Sequence, residues 1–320
     1  MNKIAIITAF LGGVKNRYMQ YIPNRTIREK IELATKIKGL DGFELCYPGD
    51  FDDLNLLKKM LADNGFGVSG INVRSRRQGR WIRGSFTSES AVERAEVVDD
   101  FKKAMDTALE LGVNRITSCP LNDGHDYVFE MNYVDAYKYA EETFKQICDY
   151  NKDVKVCIEY KVNDPRVRCM FGTAGETLAF CQSVGCENLG VTMDIGHSIL
   201  GQERPAQALA MLHRAGRAFY IHLNDNDRNW DWDQLPGAYH VNETIEFLYY
   251  LKKLGYTDDW YAFDVCSKEV DTVETFSAVV RLTRKLEAMA DRIDQKKMDI
   301  QMKERDPHKT FELMFDSVYK

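Results

Sequence analysis

Short apolar runs alternate with amphipathic helical stretches eight times along the 320 residues, and few folds accommodate that pattern. The runs lie at 3–8, 42–46, 68–73, 114–119, 154–160, 189–194, 218–223 and 260–265. Helical spacing follows each in turn, at 26–38, 52–64, 90–111, 133–150, 174–184, 205–214, 242–254 and 272–289. Strands that are apolar without a break and separated by helices pair in parallel beneath an outer helical layer. Eight such units are the number that closes on itself, so the pattern predicts a single-domain (β/α)8 TIM barrel over residues 1–290. An open doubly wound sheet would carry a G-x-G-x-x-G turn after an early strand, and the chain has none. Residues 291–320 are highly charged around an apolar patch at 311–315. They read as a C-terminal helical extension, either solvated or an arm that packs on a neighbouring subunit.

Composition removes several functions. With 43 Lys+Arg against 49 Asp+Glu the net charge is −6, which argues against nucleic acid as a partner. No apolar run approaches the roughly 20 residues that span a bilayer, so no membrane is expected. The opening stretch, MNKIAIITAFLGG, reads as a first buried strand in preference to a leader. The 8 cysteines form no C-x-x-C pair, which suggests neither a disulfide framework nor a zinc ribbon. A reduced, cytoplasmic protein is expected.

Chemistry in such a barrel sits at the C-terminal ends of the strands. Asn72 falls there on the third strand and His125 on the loop after the fourth. Glu159 and Lys161 close the fifth, Asp194 and His197 the sixth, His222 lies on the seventh and Asp264 on the eighth. Three carboxylates gathered in one mouth repel one another unless they hold protons or a cation. Glu159, Asp194 and Asp264 with His222 therefore predict a divalent metal site, manganese first, with magnesium, cobalt or zinc as alternatives. His197 either faces the pocket or caps a helix. His125 and Lys161 are candidate proton-moving groups. The loop 74–83 (RSRRQGRWIR) is strongly basic; it is solvated, or it meets an anionic substrate or a partner subunit.

These residues resemble the xylose isomerase-like superfamily of sugar isomerases and epimerases. The stretch 158–166 (IEYKVNDPR) is similar to its Glu-x-Lys-x-Asn-x-Pro-Arg signature. MDIGHS at 193–198, IHLND at 221–225 and WYAFD at 260–264 look like its next three ligand-bearing strands. The resemblance implies a metal held by Glu159, Asp194, His222 and Asp264. It further implies a second metal or substrate site at His197, Asp231 and Asp233. Asn72 and Trp232 would touch substrate, with His125, Lys161 and Glu159 as catalytic groups. The implied reaction moves a proton or hydride beside a metal-chelated sugar carbonyl, in a homo-oligomer. An alternative in the same superfamily is a C-glycoside deglycosidase catalytic subunit, a lyase acting on a 3-oxo-glycoside with a small partner subunit. The early histidine of xylose isomerases is missing, and Glu44, Cys46 and Asn72 stand in its place.

Overall fold

Eight parallel strands close into a barrel in the computed structural model, which describes residues 1–16, 18–268 and 270–319. In chain order the strands are β1 Lys3–Ile7, β2 Gly42–Tyr47, β3 Gly67–Val73, β4 Arg115–Ser118, β5 Gly124–His125, β6 Lys155–Glu159, β7 Arg168–Cys169, β8 Leu189–Asp194, β9 Ala218–Leu223 and β10 Trp260–Phe263. The barrel runs β1–β2–β3–β4–β6–β8–β9–β10, and the pairs Lys3 with Trp260 through Ile6 with Phe263 close it. Its outer helices are α1 Ile27–Ala34, α2 Leu54–Asn64, α3 Ala91–Glu110, α4 Tyr133–Tyr150, α5 Ala174–Val184, the short α6 Ile195–Leu200, α7 Pro205–Arg214, α8 Val241–Lys253 and α9 Thr272–Asp291.

The sequence explains where these helices start. Thr26 and Glu29 form a capping box that starts α1, and Asp53, Ser90, Thr173 and Asp271 cap later helices through their side-chain oxygens. The small antiparallel sheet of β5 and β7 was not anticipated, because two-residue strands leave no periodic trace. Its close packing requires Gly124, where a Cβ would lie 2.2 Å from the Arg168 carbonyl oxygen.

Alternation along the barrel strands decides what the interior holds. Ile4, Ile6, Phe43, Leu45, Ile158, Val191, Met193, Ile221 and Phe263 point outward into the core shared with the helices. Their neighbours point inward, and a small apolar group of Ala5, Ile7, Cys46, Cys157, Tyr220 and Ala262 lies within. The rest of that inner face is polar. Thr117 bonds Thr192 at 2.6 Å, Tyr220 bonds Ser69 at 2.6 Å, and the Arg115 guanidinium lies 4.4 Å from the Tyr220 ring centroid. Glu44, Glu159, Asp194 and His222 occupy inward positions in the same phase and are all buried.

The extension forms two helices, α10 Gln295–Glu304 and α11 Pro307–Val318, with Met298 and Val318 buried. It packs on its own chain: the Tyr319 hydroxyl donates to Asn242 at 2.9 Å and Tyr250 meets the Met302 sulfur at 3.7 Å. Among the described residues no helix is long and apolar enough to cross a membrane.

Candidate metal centre

Four strand ends and one short helix build the site. Register pairs Glu159 with Thr192 and Asp194 with His222, so β6, β8 and β9 present their polar residues to one another. The His222 ring lies between two glutamates, with Nδ1 3.0 Å from Glu159 Oε1 and Nε2 2.8 Å from Glu44 Oε2. Nδ1 also lies 3.9 Å from Asp194 Oδ2. Burial disfavours the imidazolium, but Glu44 and Glu159 outweigh it and carry the His222 pKa well above the usual value. Asn72 donates to the other Glu44 oxygen at 2.7 Å.

Asp194 has two tasks. Its Oδ1 accepts from the His197 backbone N–H at 2.8 Å, capping α6, while Oδ2 accepts from Asn224 Nδ2 at 3.2 Å. Asn224 in turn accepts from the Gly196 N–H at 2.7 Å. A Cβ on Gly196 would sit 2.1 Å from that same Asn224 oxygen, so the D-x-G-H turn needs glycine. The turn brings the His197 ring inward, with Nε2 3.1 Å from Asp231 Oδ2. Nδ1 is buried without a hydrogen-bond partner among the described residues, 3.5 Å from Glu159 Oε1 and 4.0 Å from Asp194 Oδ1. Lys161 completes the network, 2.7 Å from Asp231 and 2.9 Å from Asp164.

The charges are unbalanced. Burial, with Glu159 and Asp194 close by, pushes the Asp264 carboxyl up to about 8. Burial raises Asp194 as well. Burial with Asp231 and Asp264 raises Asp233 strongly. Burial would also raise Glu159, but His222, His197 and Arg76 reverse the sign and hold it at about 2. For His197 burial opposes the charge, yet Asp194 and Asp231 lift it to about 9. Lys161 and His197 overcome burial at Asp231 and hold its carboxyl far below the usual range.

Ligand atoms of Glu159, Asp194, His197 and Asp264 all lie within 4.8 Å of one another. Oxygens and nitrogens around one divalent ion, each about 2.0–2.6 Å from it, span distances of that order. The Nδ1 of His197, buried against two carboxylates with no hydrogen-bond partner among the described residues, is an uncommitted ligand atom in that group. The residues present therefore fit a divalent cation. The sequence had paired His197 with Asp231 and Asp233; the structure adds it to the three carboxylates, with His222 Nδ1 approaching Glu159 and Asp194 from β9. Cys119 also lies within 4.8 Å of Glu159 and His197 at its ligand atom, a neighbour no motif indicated.

Other expected residues stand apart from this group. His125 lies on β5 beside Tyr133, ring centroids 5.1 Å apart, with its Nδ1 unpartnered. Trp232 is 40% exposed and donates to Asp227 at 2.9 Å. Asn72 turns to Glu44, and its Oδ1 has no partner among the described residues. In sequence Glu44 stands only as a departure from the family pattern, although a charged residue inside an apolar strand is a signal in its own right.

A family model described as xylose isomerase-like TIM barrel matches residues 31–286. An L-ribulose 3-epimerase from Mesorhizobium japonicum is 24% identical over 244 residues, 76% of each chain. A xylose isomerase from Thermus thermophilus is 24% identical over 205 residues, 62% of this chain and 53% of the isomerase, so the chain spans about half the length of that relative. The solved structure of a D-tagatose 3-epimerase-like protein superposes with a TM-score of 0.70 at 18% identity, over 90% of this chain and 98% of that one.

Proposed function

The chain belongs to the xylose isomerase-like TIM barrel family, and on that premise we propose that it is a divalent-metal-dependent sugar isomerase or epimerase. The observation that carries this reading is the convergence of Glu159, Asp194, His197 and Asp264 on one point, with His222 Nδ1 turned to the same carboxylates. Glu159, Asp194 and Asp264 would hold the cation with His222 or His197 as the nitrogen donor. The oxygen-rich set suits manganese first, then magnesium, cobalt or zinc. A divalent ion there supplies Lewis-acid polarisation of sugar oxygens. The chain's own groups do the proton work. Glu159 and Asp264 stand at the two ends of the four-strand arc β6–β8–β9–β10. One takes a proton from the carbon beside the carbonyl and the other returns one, which inverts that centre. Lys161, ion-paired to Asp231 and Asp164, would steady a developing oxyanion.

The test is interconversion of ketoses followed by NMR, with and without EDTA and with Mn²⁺ restored, beside elemental analysis of the purified chain. A metal-bound chain that loses turnover in EDTA and regains it with Mn²⁺ supports the reading. Glu159→Gln should lower turnover by about a hundredfold or more. Undiminished activity in EDTA, or in Glu159→Gln, overturns it.

A further inference from the structure

The basic loop after β3 divides into two halves with different partners. Arg77 pairs with Asp100 and Arg80 with Glu96, both on α3, and their guanidinium groups lie 4.9 and 4.4 Å from the Trp81 ring centroid. That half is structural. Arg74 and Arg76 turn the other way. Arg74 Nη2 donates to the Cys46 sulfur at 3.1 Å, and Cys46 lies on the inner face of β2, two residues beyond Glu44. Arg76 Nη1 donates to the Cys119 carbonyl at 3.1 Å, and the Cys119 sulfur is within 4.8 Å of the ligand atoms of Glu159 and His197. Both guanidinium groups thus edge the mouth where the carboxylates converge. Among the described residues neither forms an ion pair, and each is half-buried.

The two forks are also held in place. The Arg74 N–H donates to the Tyr47 carbonyl at 3.1 Å, and Ser75 meets Ser118 at 3.0 Å, tying the loop to β2 and β4. Burial works against the charge on Arg74, but the fields of Cys46, Asp264 and Glu44 keep its pKa above the usual arginine value. Among the described residues each fork makes one hydrogen bond and keeps further N–H donors free, the arrangement that reads planar anions in pairs of bonds. A neutral sugar would leave those donors to water.

We propose that Arg74 and Arg76 form an anion-binding edge of the candidate site and that the substrate is an acidic sugar, one bearing a carboxylate or a phosphate ester. This rests on the reading of the mouth as a sugar isomerase or epimerase site. The neutral and acidic forms of one ketose skeleton separate the possibilities. Calorimetry on the full, Mn²⁺-loaded chain with D-fructose, D-fructuronate and D-fructose 6-phosphate gives the ratio of acidic to neutral affinity. The expected ratio is about tenfold or more, a difference of about 1.4 kcal/mol. It collapses in Arg74→Met and in Arg76→Met and recovers in part with lysine at either position. Whichever acid binds tighter identifies the anion. A ratio near one in the wild type, or one unchanged in both variants, overturns the proposal. Should Arg74→Met fail to fold, Arg76→Met carries the test, because among the described residues Arg76 bonds only a loop carbonyl. NMR on the same samples keeps the two ideas apart. Turnover of neutral sugars with an arginine-independent ratio overturns the anion edge alone. Selective, arginine-dependent binding with no interconversion of any sugar overturns the isomerase reading instead.

Discussion

Glu44 fixes how His222 meets the other acids. Nε2 bonds Glu44 at 2.8 Å, so Nδ1, which bonds Glu159 at 3.0 Å in the metal-free chain, is the nitrogen that would give up its proton to a cation. A carboxylate behind an imidazole sets its tautomer and raises its basicity, and losing such a partner commonly weakens metal affinity by about 10–100-fold. Glu44→Gln should show that loss in a Mn²⁺ titration, with the fold retained because Asn72 can still bond the amide oxygen. Unaltered Mn²⁺ affinity would mean that Glu44 is only a packing residue. The placing of Glu159, Asp194, His222 and Asp264 toward one end of the barrel was legible from strand position alone. The role of Glu44 was not, since its partner His222 lies 178 positions away in sequence.

One buried acid anchors the far end of the excursion between β3 and α3. Asp123 accepts from the Ser85 N–H at 3.0 Å and hydroxyl at 2.8 Å, and from the Thr87 N–H at 2.8 Å and hydroxyl at 2.7 Å. It pins the excursion between β3 and α3 to the loop after β4. Asp123→Ala would strand four buried donors, and such losses cost about 1–3 kcal/mol per unsatisfied group before relaxation. A drop of about 3 kcal/mol or more in urea unfolding is expected; a drop below about 1 kcal/mol would show that water replaces the carboxylate. The barrel strands and long helices were readable because period and capping repeat over many residues. The β5–β7 pair and the anchoring of residues 74–89 were not, because each depends on contacts between distant loops.

At the scale of the whole molecule, the mouth stores charge that only a cation or protons relieve. Asp264 sits at about 8 against 3.8 when unperturbed, and His197 at about 9 against 6.5, so both bind protons more tightly folded than unfolded. Their contribution is complete below the unperturbed values and is lost as pH rises through 8 and 9. Glu159, at about 2 against 4.5, has the opposite sign: its contribution is present above 4.5 and lost as pH falls toward 2. The EDTA-treated chain should therefore melt at progressively lower temperature from pH 6.5 to pH 9. Saturating Mn²⁺ should remove most of that decline, because the cation takes the place of the protons. A melting temperature independent of pH in the metal-free chain would contradict this charge arrangement.

The sequence by itself determined the barrel, its eight strands, and the acids and imidazoles at the ends of the last four. Hydrophobic period and helix capping are local quantities, and a fold with one site at one end turns strand order into spatial order. Tertiary structure alone decided which nitrogen each imidazole offers, that His197 joins Glu159, Asp194 and Asp264, and that the basic loop sends Arg77 and Arg80 to α3 while Arg74 and Arg76 edge the mouth. Ring orientation and side-chain pairing are set by closing distances between β2, β4, β6 and β9, and barrel closure creates those distances only after the chain has folded.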